Sequence, residues 1–478
     1  MAYIGDGRRK GRILAYRGFF YHKNQASDDC IYWRCSVKNC RAPLKTVVLD
    51  INNPPNNIIV LEAVADDQHY GHFPDIEAVE RLKITNIMKS KVTANPSAPI
   101  KRTYDDAVAN LQHLPAPPDP EDVPLFDDIY QALKRKKREN VPMIPRTVAD
   151  VVINGVWAET WDGRPNLMHQ DNNWGVALFG TTEQLRLLRR ASNIFADGTH
   201  RSTPRPYKQI YTIHAEIQRH IVKVATCTML NKDTGSYRHV LQVLKRGVRQ
   251  VTGHHWRPTT IVIDFELAAK NAFETEFPNA DIKGCYFHFN QALWKHIKDL
   301  GLTRAYKDNR RVKKLVKKIM ALGFLPLPYV RMNFQQLRQS ARTLRLVNRY
   351  PNLDRFMTYV DNTYMNGHFP PAMWNVYDRP METRTNNAVE SFHRAWNQAV
   401  GVRHPSLWVF IRVLKDQYSA QQVKMRNIRN GNAAPRRRLK WRRLEERIVH
   451  LKTQFITGVT NLDQYWNLVK YVLMNRDH

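Results

Sequence analysis

Thr260-Ile261-Val262-Ile263-Asp264-Phe265-Glu266 is the stretch on which the fold of this chain turns. An unbroken apolar run this short, closed at once by an acid, reads as a strand buried in the middle of a sheet with Asp264 at its end. Upstream, Asn193 to Ala196, Gln209 to Glu216 and Ile221 to Met229 read as three further strands. The short connections Thr203-Pro204-Arg205-Pro206 and Gln218-Arg219 make these an antiparallel meander. The first of them also runs into an acid, in Ile194-Phe195-Ala196-Asp197-Gly198-Thr199. A helix is expected from Tyr237 to Val251, with Val240, Leu241, Leu244 and Val248 on one face. Beyond the deciding strand, a helix from Leu267 to Phe277, a strand from Asp281 to Tyr286 and a helix to Leu300 complete a β-β-β-α-β-α-β-α order.

That order resembles the ribonuclease H-like fold, in which the first and fourth strands are neighbours, so Asp197 and Asp264 are expected to end side by side. The fold class read here is α/β: a mixed five-stranded sheet with flanking helices, an all-α insertion at 302–380, and a small N-terminal β-rich zinc finger. The insertion is basic as well as helical. Arg310-Arg311-Val312-Lys313-Lys314-Leu315-Val316-Lys317-Lys318 sets Val312, Leu315 and Val316 on one face and lysines on the other.

A third acid, Glu390, lies on a helix expected over Asn387 to Val400, within Thr385-Asn386-Asn387-Ala388-Val389-Glu390-Ser391-Phe392-His393. Each acid has an ordinary explanation. Asp197-Gly198 makes a common turn after a strand. Asp264 is placed to cap the following helix. Glu390 stands three residues after Asn387, the spacing of a capping pair. What outweighs these is their joint placement on one fold. Two aspartates leaving buried strands and one glutamate on a helix match what a two-metal phosphoryl-transfer site needs, since hard divalent ions take oxygen ligands.

The composition points the same way. With 74 Lys and Arg against 43 Asp and Glu, the 478 residues carry a formal charge of +31, which calls for a polyanionic partner. A hydrophobic content of 43% is that of a folded chain, and the length implies two or three domains. Five cysteines, an odd number, argue against a disulfide scaffold and for a reducing compartment. Neither a secretory apolar region nor a run long enough to span a membrane is found, so a soluble protein without membrane association or small-molecule substrate is expected.

Residues 1–85 hold three of the cysteines and two close histidines. Cys35 and Cys40 sit in Tyr32-Trp33-Arg34-Cys35-Ser36-Val37-Lys38-Asn39-Cys40, and His69-Tyr70-Gly71-His72 follows two strand-like segments. Two thiolates and two imidazoles close a tetrahedral zinc shell, the staple a small loop-rich module needs. The alternative is a pair of core cysteines and two surface histidines. Leu14, Gly18, Phe19, Tyr21 and Trp33-Arg34-Cys35, with Cys40 and the closing histidines, resemble a FLYWCH-type zinc finger over residues 8 to 75. The chain departs from that family in placing two residues between its histidines and Pro43 where a basic residue is usual. Cys30 lies outside the pattern.

The words around the acids resemble the Mutator-like (MULE) transposase domain. They are Phe195-Ala196-Asp197-Gly198-Thr199, Tyr211-Thr212-Ile213-His214, Ile263-Asp264-Phe265-Glu266, Gly284-Cys285-Tyr286-Phe287-His288 and Arg384-Thr385-Asn386-Asn387-Ala388-Val389-Glu390, with Ala372-Met373-Trp374-Asn375-Val376-Tyr377 ahead of the last. The resemblance runs from about 150 to 420. It implies that Asp197, Asp264 and Glu390 are a DDE triad holding two Mg2+ or Mn2+ ions, and that the 125 residues between Asp264 and Glu390 contain a helical insertion. Cys285 and His288 match the family's Cys-x2-His pair; two ligands are too few for a structural zinc site, so bracing of the sheet or a DNA contact near the site is expected over metal binding.

Four zones follow: a finger at 1–85, a linker rich in Pro and charge with one helix at 86–150, the transposase-like domain at 151–420, and a basic helical tail at 421–478. Asn95-Pro96-Ser97-Ala98-Pro99 and Leu114-Pro115-Ala116-Pro117-Pro118-Asp119-Pro120 mark the linker. The runs Lys134-Arg135-Lys136-Lys137-Arg138 and Pro435-Arg436-Arg437-Arg438 with Arg442-Arg443 read as nuclear import signals or phosphate contacts, the alternative for the first being a solvated helix end. The expected protein is a nuclear DNA-binding transposase that self-associates. Its rivals are a domesticated, non-catalytic regulator or chromatin protein and a nuclease acting on RNA or hybrids.

Overall fold

The computed structural model describes residues 2–6, 11–47, 58–94, 98–139, 141–380, 384, 387–434 and 439–474. Asn95-Pro96-Ser97, Thr385-Asn386 and the basic stretch Pro435-Arg436-Arg437-Arg438 lie outside the described residues. The chain divides into two compact units, Met1–Met143 and Ile144–His478.

The first unit opens with a six-stranded antiparallel sheet in sequential order: β1 Tyr3–Asp6, β2 Arg12–Tyr16, β3 Phe19–Ala26, β4 Cys30–Cys35, β5 Pro43–Val47 and β6 Val60–Ala63. Alternation does the sorting. In β4, Ile31, Trp33 and Cys35 turn inward while Tyr32 and Arg34 face out. The β2–β3 hairpin turns on Arg17 and Gly18, both at positive φ. Gly18 is required there: a Cβ would stand 2.6 Å from the Pro74 side chain, and its carbonyl accepts the Asp75 N–H at 2.8 Å. That contact draws the segment after His72 back onto the sheet.

The expected linker is more ordered than its prolines suggested. Instead of one helix, three form: Ile76–Ala94, Ile100–Leu111 and Phe126–Glu139. They share a core of Ile84, Met88, Val92, Ala107, Leu111, Ile129 and Leu133. Pro99 is the N-cap of the second helix, and Pro115, Pro117, Pro118 and Pro120 lie in the connection between the second and third helices, where a missing N–H breaks no helical hydrogen bond. Lys137 of the basic run donates to the Ala98 carbonyl at 2.8 Å, so this lysine braces the helices.

The second unit is built on a mixed sheet ordered β13-β12-β9-β10-β11-β8-β7. It has seven strands where five were expected. The added pair, β7 Leu167–Asp171 and β8 Val176–Phe179, extends the edge beside β11. The others are β9 Asn193–Thr199, β10 Gln209–Ile217, β11 His220–Met229, β12 Thr260–Ile263 and β13 Asp281–Gly284. The strands β9, β10 and β11 form the antiparallel meander, and β12 runs parallel between β9 and β13.

Strand parity assigns the faces. Ile194, Ala196, Ile261 and Ile263 enter the main core, with the helices Thr182–Arg190, Thr234–Thr252, Leu267–Glu276 and Tyr286–Asp299. Phe195 and Val262 turn to the opposite face and meet Cys285 and Val389.

The helices between 302 and 380 do not form a separate body; their apolar residues join the main core. Trp374 is the keystone. It is fully buried, stacks on Phe289 at 4.4 Å, and its indole N–H reaches the carbonyls of Tyr364 and Phe369 at 3.1 Å. Asn375 and Val376 tie to the carbonyls of Leu325 and Gly323 at 2.7 Å. Truncating a packed indole leaves a large cavity, so Trp374→Ala is expected to cost about 3–5 kcal/mol in a thermal or denaturant unfolding curve.

Helix Leu407–Arg429 runs across position 420, where a tail was expected to begin. The last helix, Leu462–Met474, packs on Arg310–Ala321; Tyr465 donates to the Phe324 carbonyl and Trp466 to that of Lys318, both at 2.9 Å. Burying these aromatics makes the C-terminus part of the helical layer.

Candidate functional site

Strand register brings two of the acids together. Val262 pairs with Phe195 across the parallel β12–β9 ladder, so two residues further on Asp264 comes level with Asp197, on the same face. Helix Asn387–Val400 crosses that face, and Val389 packs with Phe195, Val262 and Cys285. That contact brings Glu390, the next residue, near enough to Asp197 for their charges to interact.

The ordinary explanations for the aspartates fail. β9 continues through Asp197 and Gly198 to Thr199, so no turn begins there. The N-cap of helix Leu267–Glu276 is Glu266, not Asp264, and the Glu266 side chain makes no capping hydrogen bond. The Asn387 side chain, the other half of the expected capping pair with Glu390, lies outside the described residues.

Burial and mutual repulsion load the site. Asp264 is pushed up to about 8, first by burial and then by the charges of Asp197 and Glu266. Glu390 is pushed up to about 7 by burial and by Asp197. Among the described residues, Asp264 Oδ1 and Glu390 Oε1 are buried without a hydrogen-bond partner. Such crowding of under-satisfied carboxylates is chemically the donor set of a hard divalent cation.

A histidine that sequence reasoning missed supports Asp197. His393, one turn after Glu390, places Nδ1 3.3 Å from Asp197 Oδ2 and Nε2 3.0 Å from Thr212 Oγ1. Thr212 also reaches the Asp197 carbonyl at 3.3 Å, and His214 stands 3.2 Å from its hydroxyl. Burial holds His214 well below its ordinary value, so it is a neutral partner. The i, i+3 spacing from Glu390 was the available signal.

Cys285 caps the helix that carries His288, and both stand at the same site. Their donor atoms and a Glu390 oxygen lie within 4.8 Å of one another, which adds a third donor to a pair that looked too small for a metal. His288 Nδ1 is buried without a hydrogen-bond partner among the described residues, while Cys285 packs against Phe195, Val262 and Val389. The grouping bound by mutual 4.8 Å distances is Cys285, His288 and Glu390; the two aspartates stand outside it. Arg379, buried near the end of the insertion, donates to the Gly284 carbonyl at 2.8 Å and to that of Met373. Arg384 pairs with Glu445. These bonds tether the chain on its way to Glu390.

Titration of this face has a definite sign. Both acids have folded values above their unfolded ones, so the folded state holds extra protons between about pH 4 and pH 8. The stability they contribute is therefore full below about pH 4 and is lost as pH rises through 7 to 8. Without divalent ions the protein is expected to lose a few kcal/mol, on the order of one pKa unit's worth several times over, between pH 5 and 8. Asp264→Asn flattens that slope in melting curves, and added Mg2+ raises the wild-type midpoint at pH 8 but not the variant's.

The second cluster lies in the first unit. Cys35, Cys40, His69 and His72 bring their donor atoms within 4.8 Å of one another. Cys35 Sγ is 3.3 Å from His72 Nε2, and Cys40 Sγ is 3.5 Å from His69 Nδ1. A tetrahedral shell at ordinary Zn–S and Zn–N lengths has S···N edges of about 3.5 Å, so the four residues fit Zn2+. His69 is fixed from behind: its Nε2 faces the Tyr21 hydroxyl at 3.0 Å and its ring stacks on Phe19 at 3.6 Å. Burial, helped by His72, lowers its basicity and favours the neutral ligand form. The His-x2-His spacing is accommodated by the short turn Asp66–Gln68 and by Gly71 at positive φ. Cys30 stands apart from the cluster, and Pro43 begins β5.

Comparison with known families matches both regions of the chain. Residues 5–61 match the FLYWCH zinc finger domain and residues 193–292 match the MULE transposase domain. No curated protein matches the chain. The matched spans are narrower than the resemblances read from the sequence, and each stops short of its site. The first contains both cysteines but ends before His69 and His72; the second contains Asp197, Asp264, Cys285 and His288 but ends before Glu390. Folding brings His69 and His72 to the two cysteines, and Glu390 to Cys285 and His288.

Proposed function

From a chain that carries a MULE transposase domain behind a FLYWCH zinc finger domain, we propose a DNA transposase, or a protein descended from one, that cleaves and joins DNA strands with two divalent ions. The observation that carries the reading is that strand register sets Asp264 level with Asp197 while Glu390 lies near enough to feel the Asp197 charge, with two of the acids driven far out of the carboxylate range. The strand order β13-β12-β9-β10-β11 supports a ribonuclease H-like core, with β8 and β7 as an edge extension.

Asp197, Asp264 and Glu390 would hold two Mg2+ or Mn2+ ions. When bound, such ions activate the attacking oxygen, first of water and then of a 3′-hydroxyl, and stabilise the leaving one. The chain's own residues do the rest. His393 holds Asp197 from the side facing Thr212 and fixes which oxygen points into the site. The Cys285–Val389 packing fixes the height of Glu390's helix. The zinc-stapled finger and the excess of 31 positive charges supply phosphate affinity, and nuclear residence follows from a DNA substrate.

The test is direct. Purified full-length protein is incubated with Mg2+ or Mn2+ and labelled DNA carrying the terminal inverted repeats that flank its coding region. Divalent-dependent nicking and strand joining are expected. Tight DNA binding with no cleavage under any of these conditions replaces the enzyme by a domesticated regulator.

A further inference from the structure

Away from the acids, His169, Asp171 and His239 bring their donor atoms within 4.8 Å of one another. His169 and Asp171 are two apart on the edge strand β7 and so share a face; His239 comes from helix Thr234–Thr252. We propose that these three residues form a second transition-metal site, of the Zn2+ class, which clamps the edge strand to that helix.

The distances are those of a coordination face. His169 Nε2 and His239 Nε2 are 3.2 Å apart, and Asp171 Oδ2 lies 3.9 Å from the first and 3.6 Å from the second. A tetrahedral Zn2+ with ordinary Zn–N and Zn–O lengths has edges of about 3.4 Å. A plain hydrogen bond between two neutral imidazoles explains only the 3.2 Å edge. It leaves the carboxylate oxygen facing both nitrogens and too far from either for a hydrogen bond. A cation between the three atoms satisfies every edge.

The surroundings hold the donors in place. Asp171 Oδ1 accepts the N–H groups of Asn173 and Trp174, each at 3.0 Å, which turns Oδ2 toward the histidines. Trp174 stacks on His239 at 5.0 Å and 13°, fixing the plane of the ring. Fixed outer partners of this kind raise metal affinity. All three donors are half-buried, so the fourth position opens to solvent and takes water. An edge strand is the element most in need of such a staple, having a neighbour on one side only.

Full-length protein is stripped of metal and dialysed against Zn2+, and bound zinc is counted by elemental analysis; a parallel Co2+ titration follows the visible bands. The wild type is expected to retain one equivalent more than the finger accounts for, and Cys40→Ser removes only the equivalent with the thiolate charge-transfer band. Asp171→Asn, which keeps shape and the Oδ1 contacts, and His239→Ala each lose one further equivalent and the thiolate-free cobalt bands, with the thiolate band intact. Zinc counts in both variants equal to wild type overturn the site. So does loss of the extra equivalent on Asp264→Asn alone, which assigns that ion to the acidic face.

Discussion

Asp264→Asn is expected to abolish strand cleavage while leaving DNA affinity intact or slightly raised. The substitution keeps volume and shape but removes the negative charge on which a divalent ion depends, at the position where burial and two neighbouring acids concentrate that charge. A loss of at least about a thousandfold, on the order of 4 kcal/mol of transition-state stabilisation, follows from removing one member of a unit that acts together. Asp197→Asn and Glu390→Gln are expected to behave alike, and double variants to be no worse than singles. Glu266→Gln is the internal control. Glu266 stands at the helix start and faces Tyr237, so cleavage is expected to survive its neutralisation. The measurements are single-turnover cleavage of an end-labelled duplex and binding of the same duplex in Ca2+. Divalent-dependent cleavage surviving Asp264→Asn ends the catalytic assignment.

Zinc removal is expected to unfold the six-stranded sheet. Its core is small, twelve buried residues from Ala2 to Ile58, and Cys35 and Cys40 are among them. Binding energy at a structural Cys2His2 site is of the order of 10 kcal/mol, more than a module of this size has in reserve. A strong chelator, or Cys40→Ser, is therefore expected to expose Trp33 and to abolish its near-ultraviolet dichroism. Cys30→Ser is expected to leave zinc content unchanged. A sheet that stays folded and metal-free in chelator would refute the staple.

The order of strands and helices in the second unit was legible because its signals are local. The apolar run at Thr260–Ile263 is too short for a helix and has no polar face, and the boundaries of β9, β10 and β11 fall within a few residues of the expected ones. The adjacency of β9 and β12 was likewise within reach, because the topology resembled a known one. The extra strands β7 and β8 were not, since Leu167–Asp171 has no clean alternation and is only partly buried along its length. The helices from 76 to 139 were obscured by prolines that lie between them, where the backbone tolerates them.

At the sites, the sequence determined which residue types are present and their spacing: three acids at strand and helix ends, a Cys-x4-Cys and a His-x2-His. Only the tertiary structure decided what meets them. It brings His393 and Thr212 to Asp197, Cys285 and His288 to Glu390, and His239 to His169 and Asp171. Chain order fixes neighbours a turn or a strand apart. Contacts between elements depend on strand register and on which face a helix turns inward, and those are set by the packing of the whole core.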